Sequence, residues 1–264
     1  MPHTTAYTFD GTLDGLLTAV FDAYALHQTP EALIVEGDIL PMFCDEVHQV
    51  RTADDKARRV WAGLEERLPR EALRLITVAW LAEERELNTP LFRYIYKVFL
   101  QKKGVTPGIE RNFSDPDVLF VTNTGRRVMH EQLRMKQFVR FQKAKDGTYL
   151  GVVSPDHNVL PLVVSHFRDR FGDQPWLLYD ARRCYGYHYD LHEVVRITFA
   201  DGEAPPFDLH TGRLAGDLLS QDEQMLQELW RTYFRATCIR ERMNPRKQLN
   251  DMPRRYWKYM TEKQ

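Results

Sequence analysis

Only three cysteines occur in 264 residues, and Cys44, Cys184 and Cys238 lie far apart. Their odd number and wide spacing argue against both a disulfide framework and a CxxC metal site. No apolar run approaches the roughly 20 residues that a membrane-spanning helix needs. The opening segment, MPHTTAYTFD, has no basic stretch followed by an apolar core, and so does not read as a secretory signal. GxGxxG, GxxxxGK(S/T), HExxH and GxSxG are all missing, as is the HxE…PCxxC pattern of zinc deaminases. His188 and His192 are four residues apart, but on a strand that spacing does not converge on a metal as it would on a helix. The expectation is a cytoplasmic chain with no membrane attachment, no metal and no cofactor.

What is present is a globular composition, 43% hydrophobic and 12% aromatic, in a chain long enough to bury a sizeable core. The net charge of −1 conceals four blocks. Residues 1–92 hold 8 Lys and Arg against 16 Asp and Glu, and residues 93–145 hold 12 against 4. Residues 146–230 hold 6 against 14, and residues 231–264 hold 10 against 3. Either the blocks neutralise one another within the fold, or the two basic ones form a face for a polyanion.

The stretch from Phe138 to Phe199 organises the rest. Val139 and Phe141, then Tyr149, Val152 and Val153, flank Asp146-Gly147, a strong hairpin signal. Asp156 is placed to cap a helix carrying Val159, Leu162, Val163, His166, Phe167 and Phe171 at three- and four-residue spacing. Trp176 to Tyr179 and Val194 to Phe199 are β-branched and aromatic runs that suit strands. The expected fold is α+β. Its centre is an antiparallel sheet with one helix across it, in the order strand, strand, helix, strand, strand. A mostly helical part with short strands at Ala6 to Phe9 and Leu33 to Val35 precedes it. C-terminal helices follow, among them an amphipathic one over Asp217 to Met243. No linker or repeat interrupts the chain, so it reads as one domain over 1–264. Residues 1–128 are separable as a helical subdomain and 129–264 as the sheet-containing part.

Three segments carry candidate chemistry. In SPDHNVLPLVVSHFRDR, His157 and Asn158 stand at a helix start, where free amides favour an anion, and His166, Arg168 and Arg170 follow. The plain alternative is capping by Asp156 and Asn158, with His166 as a hydrogen-bonded core residue. In YDARRCYGYHYD, Arg182 and Arg183 are interleaved with Tyr185, Tyr187 and Tyr189, the combination that base stacking and phosphate pairing require. A solvated sheet face with cross-strand aromatic pairs fits the same composition. The C-terminal stretch sets Arg242, Arg246, Lys247, Arg254 and Arg255 among Tyr256, Trp257 and Tyr259. That is a nucleic-acid surface or a basic tail docked on acidic neighbours. Arg140, in FVRF, completes the cationic set.

Several stretches together resemble a known bacterial family described as DNA metabolism or DNA repair proteins. They are TFDGTLDGLLTAVFDAY, FVRF with DGTYLGVVSPDHNVLPLVVSHFRDRF, WLLYDARR and LWRTYFRATCIRERMNPRKQLNDMPRRYWKYM. The resemblance covers nearly the whole chain. It implies a function in DNA metabolism, alongside a radical-SAM protein that such members are encoded beside. Some members are fused to a uracil-DNA glycosylase-like domain. This chain has neither the CxxxCxxC of a radical-SAM cluster nor a uracil-binding loop, and the family supplies no catalytic residue to transfer. It also has Leu133 and Gln137 where members often carry His and Gly.

Three functions are therefore open. One is a DNA- or nucleotide-binding protein using Arg140, Asn158, Arg168, Arg170, Arg182, Arg183, Arg242, Arg246, Lys247, Arg254 and Arg255. Another is an enzyme acting on a base or nucleotide, with His157 or His166 as general acid/base and Asp180 as orienter. The third is a docking module for the radical-SAM partner.

Overall fold

In a computed structural model of the chain, residues 5–42, 44–104, 108–200, 202, 204–237 and 243–263 are described. The chain divides into two compact units, Met1–Met129 and His130–Gln264. In the first, β1 (Thr5–Phe9) leads into α1 (Leu13–Leu26), then β2 (Ala32–Val35), β3 (Glu46–Gln49), α2 (Asp54–Glu65), α3 (Arg70–Trp80) and α4 (Asn88–Leu100). The short strands form a parallel sheet in the order β2-β1-β3. Tyr7 and Phe9 of β1, Leu16 and Leu17 of α1 and Leu91, Phe92 and Ile95 of α4 meet in one apolar core. The next helix, α5 (Pro116–Phe138), starts where Asp115 accepts the amides of Asp117 at 2.9 Å and Val118 at 3.3 Å. That is the expected role of Asp at a helix start.

The second unit is built on a five-stranded sheet of β4 (Phe141–Lys143), β5 (Tyr149–Val153), β6 (Trp176–Asp180), β7 (Tyr185–Tyr189) and β8 (Val194–Ile197), in that order. Between β4 and β5, Gly147 takes φ +91°, a left-handed conformation that glycine adopts without strain. Asp146 fixes the turn by accepting the Thr148 amide at 2.9 Å. The α+β class stands, and α6 (Leu160–Arg170) lies across the sheet and packs on β7. The sheet is mixed rather than antiparallel, however, because β5 and β6 run parallel. A strand–helix–strand connection returns the chain to the end of the sheet where the first strand began, so the second strand pairs parallel to it. The fifth strand is β7, within the tyrosine-rich segment.

Alternation divides the sheet into two faces. Leu150, Val152 and Tyr179 pack with Phe207 on one side. Trp176, Leu178, Asp180, Tyr185 and Tyr189, all buried, occupy the other. Gly186 lies opposite Tyr179, where a side chain would sit 2.6 Å from the Leu178 carbonyl oxygen. Two further helices follow, α7 (Gln221–Ala236) and α8 (Pro245–Asp251), and then a 3-10 segment over Arg254–Tyr259. The expected extension of the amphipathic helix through Cys238 and Met243 crosses residues 238–242, which lie outside the described residues. No helix among the described residues is long and apolar enough to cross a membrane.

Candidate nucleic-acid interface

The carboxyl ends of β5 and β6 face one loop, Ser154 to Asn158, and the side chains that hold it come from distant parts of the sequence. Glu131 of α5 is 1% exposed, and its carboxylate accepts the backbone amides of Asp156 at 3.0 Å and His157 at 2.8 Å. The same carboxylate accepts from Arg255 at 2.8 Å and from the Tyr256 hydroxyl at 2.9 Å. From the opposite side, Arg183 donates to the carbonyls of Pro155 at 3.1 Å and Asp156 at 2.9 Å. Arg183 is held in turn by Asp180, which is fully buried and meets its Nη1 at 3.0 Å. The Asp180 carboxylate also accepts the amides of Arg182 and Arg183, at 2.8 and 3.2 Å. Burial pushes the Asp180 carboxyl above its ordinary range, although Arg183 and both amides pull it down.

Asp156 does not cap α6, whose first residue is Leu160. Its carboxylate lies against Arg255 instead, with Arg182 Nη1 at 3.6 Å. An ion pair with two guanidiniums satisfies it more fully than one helix amide would. Asn158 accepts from the hydroxyl of buried Tyr185, over whose ring Arg196 stacks at 4.5 Å. Arg182 and Arg183 occupy the turn between β6 and β7 rather than a strand, so sheet alternation does not distribute them. The outcome is a rigid loop rimmed by Arg182, Arg196 and Arg255, with half-buried Tyr187 beside Arg196 in the β7–β8 register.

His157, Asn158, Asp180, Arg182, Arg183 and Arg255 thus come together from the sequence candidates, whereas the other described candidates stand elsewhere. Arg140 donates to both oxygens of Glu262, with its shortest contact 2.7 Å. Burial would raise the Glu262 carboxyl, but Arg140 holds it below the usual range. Arg168 pairs with its neighbour Asp169 at 3.0 Å, and Arg170 lies over Phe171. Lys247 pairs with Asp251 one turn along α8, Arg246 is exposed beside it, and exposed Arg254 lies over Trp257. Arg242 lies outside the described residues. Tyr256, read as a stacking platform, is instead buried against Glu131 and Phe138.

The two histidines part company. His157 approaches Glu131 at 4.0 Å through Nε2, and its Nδ1 is shielded from water without a hydrogen-bond partner. His166 sits along α6 with Lys136, Asp169 and Arg170 as its charged neighbours. Burial, then Lys136 and Arg170, lower its basicity. A histidine depressed in the folded state leaves the unfolded chain to take up protons first, so stability falls as pH drops through about 6.5. We expect the midpoint of urea unfolding to decline between pH 7.5 and 5.5, and His166→Gln to reduce that slope. An identical slope in the variant would show that other groups set it.

Glu131 and Arg196 were not singled out from the sequence. Glu131 had a signal: it interrupts the apolar stripe of Val121, Val128 and Met135 on α5, and a carboxylate there must find donors. Arg196 had none, since its partner Tyr185 is on the neighbouring strand. Among the described residues, no group of three or more His, Cys, Asp or Glu side chains is arranged to hold a metal ion.

Comparison with known proteins adds a family and little more. No curated protein matches the chain. A pGpG-specific phosphodiesterase from Vibrio cholerae, PggH, is similar at 9% identity over 90% of this chain and 100% of its own, with a TM-score of 0.30. A likeness of that size carries no argument about fold or chemistry. The family model of DUF4130, a domain of unknown function, matches residues 85–262, and with most of its length so matched the chain belongs to that family.

Proposed function

We propose that this chain binds nucleic acid in DNA metabolism, through the loop 154–158 and its rim of Arg182, Arg196 and Arg255. The observation that carries the reading is the convergence of cations from three separate segments on one rigid loop beside Tyr187. Guanidiniums held over aromatic rings suit phosphates and unpaired bases, so single strands are the preferred ligand. On the strength of the family resemblance the reading extends to a radical-SAM partner, and on the strength of the composition to a cytoplasmic setting.

A titration of fluorescent single- and double-stranded oligonucleotides from about 50 to 200 mM salt tests the binding. Affinity should fall with a log–log slope of roughly 0.7 per phosphate contact for single strands. Arg182→Ala with Arg196→Ala should flatten that slope by about two contacts, because both side chains are exposed and the Asp156 carbonyl that loses Arg182 keeps Arg183 as its donor. Arg255 is unsuited to the test, since its loss also strips a donor from Glu131. Binding that ignores both salt and these substitutions would overturn the reading. An acid/base enzyme is the second reading, favoured by His157 standing beside the Glu131 carboxylate on the same loop. Turnover of bound nucleotide that disappears in His157→Ala while binding persists would decide for it.

A further inference from the structure

The helix α7 is mounted with its apolar side outward. Glu223 is buried, Gln227 donates to it at 3.0 Å, and Arg231 donates to the Thr261 carbonyl at 3.2 Å. Trp230 donates to Glu262 at 3.1 Å, and Lys263 lies over Phe234 at 4.9 Å. The residues turned to the body of the unit are therefore largely polar. Outward, Met225, Leu229 and Tyr233 follow one another at four-residue intervals, exposed by 57, 57 and 60%. Leu226 is 51% exposed beside them. An amphipathic helix normally buries its apolar stripe, and a contiguous exposed one marks an interaction surface.

We propose that this stripe pairs antiparallel with α7 of a second copy of the chain. Charge along the helix favours that occupant. Apart from the inward-turned Glu223 and Arg231, exposed Asp222 and Glu228 lie in the N-terminal half and exposed Arg235 in the C-terminal half. Antiparallel pairing sets each acidic end beside a basic end, whereas parallel pairing sets like against like. Leu229 lies near the midpoint of Gln221–Ala236, so a two-fold axis there brings Leu229 against Leu229 of the second copy. Met225 then meets Tyr233 of the second copy on either side. The described outward positions from Asp222 to Ala236 are exposed along the whole length, which leaves the approach open. A single helix pair is a small interface, so the dimer should be weak, with a dissociation constant of roughly micromolar order.

Sedimentation velocity on the full chain from about 2 to 200 µM tests the pairing across the range a weak dimer requires. The wild type should pass from a monomer of 31.1 kDa to a dimer over this range. Leu229→Glu, which sets two carboxylates at the axis, should remain monomeric with an unchanged melting temperature because Leu229 is already exposed. Asp222→Arg should weaken the dimer about tenfold, and adding Arg235→Asp should restore it. A wild type that stays monomeric over this range would overturn the proposal. So would a dimer indifferent to Leu229→Glu, or a charge swap that fails to restore association.

Discussion

Replacing Glu131 by Ala should lower the stability of the second unit by about 3–5 kcal/mol, the range found when one partner of a buried ion pair is removed. Glu131 is 1% exposed and receives four donors: two backbone amides, the Arg255 guanidinium and the Tyr256 hydroxyl. Without the carboxylate, the amides of Asp156 and His157 lose the acceptor that holds the loop, and buried Tyr256 loses its own. An unsatisfied buried donor costs about 1–3 kcal/mol, so the amides and the hydroxyl alone account for the lower end of the range. The melting temperature should fall by roughly 10–18 °C for a unit of this size. Glu131→Gln keeps one acceptor oxygen and should lose about half as much. Hydrogen exchange supplies a local readout: the amides of Asp156 and His157 should lose protection well before the sheet does. A melting temperature within about 2 °C of wild type, less than 1 kcal/mol, would mean that the carboxylate does not hold this loop in solution.

Arg183→Met should be nearly as damaging, and its cost should depend on pH. Methionine replaces the guanidinium with a neutral chain of comparable length and leaves Asp180 fully buried with only two amide donors. Asp180 is already pushed above its ordinary range by burial. Losing Arg183 removes a group that pulls it down, so its folded pKa should rise further. The sign follows from proton binding. Between the unfolded value near 4 and the raised folded value, the folded state holds more protons, so stability falls as pH rises. The deficit of the variant should therefore approach about 3–5 kcal/mol at pH 8 and shrink at pH 5, where the carboxyl escapes by taking a proton. Adding Asp180→Asn removes the other partner and should recover much of the loss at pH 8. Urea unfolding at the two pH values checks this. An equal deficit at both would mean that Arg183 acts through the Pro155 and Asp156 carbonyls rather than through Asp180.

The α+β class, the hairpin about Asp146-Gly147 and the helix of His166 were all legible, because each rests on side chains a few residues apart. The pairing of β5 with β6 was legible too and was misread: the strand–helix–strand order already required a parallel crossover, while the alternation within each strand is blind to direction.

The sparse acids of the basic blocks show what periodicity cannot see. Glu131, from residues 93–145, pairs with Arg255 from 231–264, while Glu262 from the latter block pairs with Arg140 from the former. The two basic segments thus bind each other through their few carboxylates, which neither mutual neutralisation with the acidic blocks nor a shared polyanion face anticipated. Such pairs, separated by 122 and 124 residues, leave no local pattern.

By itself, the sequence determined the element types, the turn chemistry and the presence of an apolar stripe on α7, since all are set by spacing along one segment. Only the tertiary structure decided which carboxylate holds the loop 154–158, which arginines gather at its rim, and that α7 turns its stripe to solvent. Those outcomes depend on desolvation and pairing between groups that the chain brings together only on folding.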